Sequence, residues 1–132
     1  GWLRMARHIE SAGADALEIN LYDVTVDPET TSASIESRDI RIVEAVARSL
    51  AIPLAVKIAP AFTALPRFAR ELERAGARAI VLFNRLYEPD IDIDALEWVA
   101  RPPVSTPDDL YPRLRWLSVL SAQTSIDLAV SG

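Results

Sequence analysis

Lys57 is the single lysine of this 132-residue chain, and Asn20 and Asn84 are its two asparagines. Apart from His8, every other basic residue is an arginine, so position 57 carries a compact, strongly hydrated ammonium where a planar guanidinium is the compositional default. Each of the three closes an apolar run: GADALEIN at Asn20, IPLAVK at Lys57 and RAIVLFN at Asn84. A fixed cation beside two neutral amides, each able to donate and to accept, suits a planar ligand that alternates carbonyl and N–H groups. The same lysine has a second chemical use, as the amine that forms a Schiff base with a carbonyl substrate in a lyase or aldolase.

Other chemistry-bearing residues are weaker candidates. Asp23 lies just past Asn20 and could serve as a base if burial made its carboxylate basic, although an aspartate in a polar loop is more often solvated. Asp90, Asp92 and Asp94 alternate along one face of an extended segment and read as a solvated edge, so no metal site is assigned. His8 falls among exposed helix positions, and Trp2, Trp98 and Trp116 read as packing groups.

The elements that must position the trio follow from periodicity and punctuation. Trp2 to Ser11 has helical spacing and stops before Gly13. A strand follows to Leu21, then a polar loop, Tyr22 to Ser34, with Ser34 as the N-cap of the next helix. Ile35, Ile42, Val43, Val46 and Leu50 form a helical stripe facing the strand Pro53–Ile58. Ala64 to Ala75 is a third helix, ending at Gly76 and feeding the strand Arg78–Asn84. Ile91 and Ile93 suggest a short extended piece paired with 99–104. Ser105 or Thr106 caps a last helix with Pro112 in its first turn, and Ser125–Val130 is the fourth strand. SAGADALEIN and RAGARAIVLFN repeat one plan: helix end, Ala-Gly-Ala joint, apolar strand, terminal asparagine.

Helices alternating with buried-type strands imply an α/β protein of about four βα units with a parallel sheet. Two architectures compete, a partial (β/α)8 TIM barrel and a small doubly wound sheet, and the absence of a GxGxxG or Walker-type loop disfavours the second. Four units are about half of a barrel of roughly 250 residues, so residues 1–132 are expected to be a fragment of one barrel domain. In a barrel, Asn20, Lys57 and Asn84 would share the C-terminal rim that carries active sites.

Composition sets the outer bounds. The net charge of -5, with 19 acidic against 14 basic residues and the arginines scattered, offers no basic face for nucleic acid. No cysteine is present, which removes disulfides, thiolate metal sites and cysteine nucleophiles. No apolar run is long enough for a membrane span and the start is too charged for a signal peptide, so a cytoplasmic location is expected. The expected partner is a small-molecule substrate, with a homodimer compatible with the open sheet edges.

The segments GADALEINLY, IPLAVKIAP and AIVLFNR, followed by FNRLYEPDIDIDALEWV and STPDDLYPRLRW, resemble the dihydroorotate dehydrogenases, flavin enzymes of pyrimidine biosynthesis built as (β/α)8 barrels. The resemblance spans essentially the whole chain. It implies FMN as cofactor, Asn20 in contact with flavin and substrate, Lys57 on the flavin pyrimidine edge, and Asn84 holding the substrate. It also implies that the first barrel strands and the flavin-phosphate loops lie outside these residues, with the final Val-Ser-Gly at the edge of one such loop. The family pattern Asn-Leu-Ser-Cys-Pro-Asn is here Asn20-Leu21-Tyr22-Asp23-Val24-Thr25. Asp23 therefore occupies the position of the catalytic base, Thr25 that of the second loop asparagine, and Arg85 that of a small hydroxyl residue beside the substrate. Two other readings stand beside a flavin-dependent oxidoreductase: the Schiff-base lyase with Lys57, and a barrel fragment without activity of its own.

Overall fold

The fold comes from a computed structural model that describes residues 1–85, 89–100 and 105–131. Its spine is a parallel sheet of four strands, β1 (Leu17–Leu21), β2 (Leu54–Ile58), β3 (Ala79–Leu82) and β6 (Asp127–Val130), side by side in sequence order. The helices α1 (Trp2–Ser11), α2 (Ser32–Ser49), α3 (Leu65–Arg74) and α4 (Leu110–Ser121) form a row in which each packs on the next. Strand order without reversal and one helical layer are what a barrel wall requires, whereas a doubly wound sheet reverses its order and carries helices on both faces. The chain is thus an α/β fold built as a partial (β/α)8 barrel.

Alternation along the strands puts one set of side chains under the helices. Leu17, Ile19 and Leu21 of β1, Leu54, Val56 and Ile58 of β2, and Ile80 and Leu82 of β3 are buried with Val43, Val46, Phe68, Leu72 and Leu120 from the helices. Residues of opposite parity, Glu18, Asn20 and Lys57 among them, face the side without helices. The Phe62 ring stacks on Phe68 at 4.2 Å between centroids, closing the core beneath the loop after β2.

The internal repeat has a structural basis. Gly13 and Gly76 both end a helix with positive φ, 93° and 105°, the left-handed turn in which glycine avoids a Cβ clash. Glu10 at the end of α1 accepts from the backbone N–H groups of Ala51 and Ile52, at 2.6 and 3.1 Å, and Glu73 at the end of α3 accepts from Ser125 N–H at 3.0 Å. Each glutamate therefore satisfies backbone donors of the loop entering the second strand of the four-stranded sheet that follows it, β2 for Glu10 and β6 for Glu73, so the repeated Glu-x-Ala-Gly ties units together as well as ending a helix.

Several boundaries differ from expectation. The N-cap of α2 is Thr31, whose hydroxyl accepts from Ser34 N–H at 3.1 Å; Ser34 instead lies in the first turn and donates to the Thr31 carbonyl. The short hairpin pairs β4 (Asp90–Asp92) with β5 (Glu97–Val99) in antiparallel register, a tighter turn than pairing with 99–104, of which 101–104 lie outside the described residues. Asp92 makes this turn possible by accepting from the N–H groups of Asp94 and Ala95, both at 2.9 Å, an Asx-type turn. Thr106 and Asp109 form a reciprocal capping box on the 3-10 turn Pro107–Asp109 that leads into α4. Of the tryptophans, Trp116 packs against the core, whereas Trp2 and Trp98 are exposed and do not pack as expected.

Candidate functional site

Asn20 and Lys57 are register partners on β1 and β2, so both side chains leave the sheet at one level of the helix-free face. Lys57 Nζ donates to Ser131 Oγ at 3.0 Å and lies 3.9 Å from a Glu18 carboxylate oxygen. Nζ is thus held between a hydroxyl just past β6 and a carboxylate of β1. Side chains from β1 and from just past β6 thus converge on one group of the helix-free face.

Asn84 lies two residues beyond β3, not on it. Its backbone N–H continues the parallel ladder by donating to the Ile58 carbonyl at 2.8 Å. The side-chain amide sits over the ends of two strands, with Nδ2 at 3.5 Å from the Leu21 carbonyl and 3.4 Å from the Lys57 carbonyl. Contacts that long are weak and leave the amide able to turn to a ligand. The Leu82–Phe83 peptide bond just before it is cis.

Ser131 completes the group. Its N–H donates to the Leu82 carbonyl at 2.8 Å, and its carbonyl accepts from Arg113 Nε at 2.9 Å. Arg113 also donates to the Asp109 carbonyl, so the first turn of α4 clamps the end of β6. Sequence reasoning reached Val-Ser-Gly only as a loop edge. The signal for Ser131 was its place immediately after the last strand, the same rule that located the other three.

Asp23 stands apart from the rim group. The Asp23 carboxylate pairs with Arg38 of α2 at 2.6 Å, and Arg38 reaches Asp39 at 2.9 Å on its other side. Asp39 is 3% exposed; burial pushes its carboxyl up by more than the Arg38 hydrogen bond pulls it down. Both aspartates line a cavity of about 230 Å³ under the loops after β1 and β2, with Thr25, Ser32 and Phe62 also on its wall. This cavity is on the helix side and none of Asn20, Lys57 and Asn84 lines it. Arg85 is exposed and close enough to Asp109 to help keep that carboxyl low, after the larger effect of the Thr106 hydrogen bonds. The four rim residues therefore form one group, and the expected base forms another. Among the described residues no cluster of histidine and carboxylate side chains could hold a metal ion, and no helix is long and apolar enough to cross a membrane.

Sheet order, single helical layer and polar groups gathered at the strand C-termini define a class: a contiguous portion of a (β/α)8 barrel with a candidate ligand site on its rim. Among solved structures, a phosphonopyruvate hydrolase is similar, with TM-score 0.50 and 19% identity, over 99% of this chain and 48% of that one. Likeness at that identity concerns the fold, and this chain spans about half the length of that neighbour. No family model and no curated protein matches the chain.

Proposed function

We propose that these residues carry the ring-binding rim of an FMN-dependent oxidoreductase resembling the dihydroorotate dehydrogenases, which removes hydride from a dihydropyrimidine-like substrate. One observation carries the reading: the Lys57 ammonium, fixed by Ser131 and level with Asn20, beside the loosely held amide of Asn84. The donor set fits a flavin ring, whose pyrimidine edge alternates carbonyl and N–H groups and becomes anionic on reduction.

When bound, FMN supplies the acceptor for hydride lost from a substrate C–H bond. Lys57 keeps spare N–H donors and a positive charge at the edge where negative charge gathers, and such a preorganised cation stabilises the transition state more than the ground state. Asn20 can bond both ring and substrate, and Asn84 can accept from and donate to an imide-like group of the substrate. The proton lost with the hydride needs a base. Asp23 can fill that role only after giving up Arg38, so opening of the Arg38 pair is part of this reading.

In the Schiff-base alternative Lys57 Nζ must leave Ser131 Oγ and Glu18 to attack a carbonyl carbon. Purified parent protein should be yellow or gain flavin absorbance on adding FMN, and should bleach a redox dye when given a dihydropyrimidine carboxylate. Colourless protein that takes up no FMN would contradict the reading. Borohydride trapping of a carbonyl compound on Lys57 would replace it with the lyase.

A further inference from the structure

A groove at the N-terminal ends of β2 and β3 carries a charge opposite to that of the whole chain. It holds about 540 Å³ between the turn that leads from α2 into β2 and the turn that leads from α3 into β3. Asn20, Lys57 and Asn84 mark the other ends of the strands, so the groove is remote from the rim. The units that form it lie wholly within the described residues, with α1 and α4 on either side of them in the helical row.

Three arginines, Arg48, Arg74 and Arg78, line the groove and no carboxylate does, in a chain of net charge -5. Arg48 and Arg74 also suit the last turns of α2 and α3, where a cation complements the helix dipole. That account leaves out Arg78, which lies beyond its helix and has no side-chain partner among the described residues. The other two heads are held by Glu44 at 2.6 Å and Glu71 at 2.7 Å, with the arginines 77% and 63% exposed. Exposed pairs of this kind are weak, so both guanidiniums can turn to a ligand. Glu10 occupies the backbone donors of Ala51 and Ile52, which leaves recognition to the side chains.

Three guanidinium forks call for a compact group with several acceptor oxygens and more than one negative charge. A phosphate monoester has both, with a charge of about -1.5 to -2 and three acceptor oxygens. The rest of the wall is apolar and includes Leu50, Ile52 and Leu54, and the volume falls in the range of roughly 300–1,000 Å³ of small-molecule sites. We propose that this groove binds a nucleotide-sized organic phosphate, its phosphate held by Arg48, Arg74 and Arg78 and its uncharged body over Leu50 and Ile52. The site is distinct from the rim and does not depend on the flavin reading.

Calorimetric titration of the purified parent protein with adenosine monophosphate, inorganic phosphate and adenosine tests this. Saturable binding of the monophosphate is expected, with inorganic phosphate and adenosine each weaker by roughly tenfold or more, since each lacks one half of the contact. Arg74→Gln and Arg78→Gln, both at exposed positions, should each weaken the monophosphate by roughly tenfold or more with unchanged circular dichroism. Lys57→Met should leave that affinity unchanged. No binding of the monophosphate, arginine variants that bind it like the parent, or its loss in Lys57→Met would overturn the proposal. Inorganic phosphate bound as tightly as the monophosphate would overturn the organic body, and adenosine bound as tightly would overturn the role of the arginines.

Discussion

Asn20 and Lys57 stand opposite each other on adjacent parallel strands, in a sheet whose other face is covered by helices. Neighbouring strands are about 4.8 Å apart, so a group bound by one of these side chains lies within reach of the other. Asn20→Asp places a carboxylate beside the ammonium without disturbing the core, since Asn20 is exposed. The expected outcome is roughly tenfold weaker binding of a flavin that must accept negative charge there, with an unchanged melting temperature. Calorimetric titration and thermal melts on both proteins check it.

Gly76 and Gly13 share a left-handed backbone but not their surroundings. A Cβ on Gly76 would lie 2.9 Å from Ala47 Cβ, whereas nothing lies within 4 Å of one on Gly13. Gly13→Ala should therefore cost about 1–2 kcal/mol for the strained φ alone, and Gly76→Ala about 1–3 kcal/mol more for overpacking α2 against the turn. Urea unfolding of the two variants measures the difference; equal losses would mean that Ala47 yields freely.

Asp39 makes stability depend on pH in a defined direction. Burial raises its folded pKa above the ordinary 3.8, so the folded state holds that proton more tightly than the unfolded chain does. Its contribution is most favourable below 3.8 and is lost as pH rises through the raised value. Asp39→Asn should remove this decline, so its melting temperature should gain on the parent chain's as pH rises towards neutrality. A constant offset at every pH would contradict the assignment.

Asp109 behaves in the opposite sense. The Thr106 backbone N–H at 2.7 Å and hydroxyl at 3.2 Å hold its carboxyl below 3.8. Its support for the start of α4 is present above 3.8 and fades as pH falls through the lowered value. Thr106→Ala should move the Asp109 titration back up and speed amide exchange in the first turn of α4, both readable by NMR.

Much of the fold was legible because its signals are local. Alternating helices and apolar strands, the glycines at 13 and 76, and Pro112 in the first turn of α4 each depend on a few neighbouring residues. Thr31 displaced Ser34 as a cap because two hydroxyl residues three apart both suit a helix start, and only the backbone path chooses between them. Asn20 and Lys57 could be placed from strand ends, and Asn84 only nearly so, since the ladder continues past β3 to position it. What stayed hidden was long-range. Lys57 meets Ser131 across 74 residues, and Asp23 meets Arg38 across the loop before α2. No periodicity announces either pair, and the second moves the expected base from the rim to the helix side.

The account rests most directly on Lys57 as the cation that meets a flavin. Fluorescence-quenching titration of FMN with the purified parent protein and with its Lys57→Met variant decides it. A charge-assisted hydrogen bond is worth about 1.5–3 kcal/mol, so Lys57→Met should bind FMN roughly tenfold to a hundredfold more weakly while circular dichroism stays the same. Equal affinity in the two proteins, or no binding by either, would contradict it.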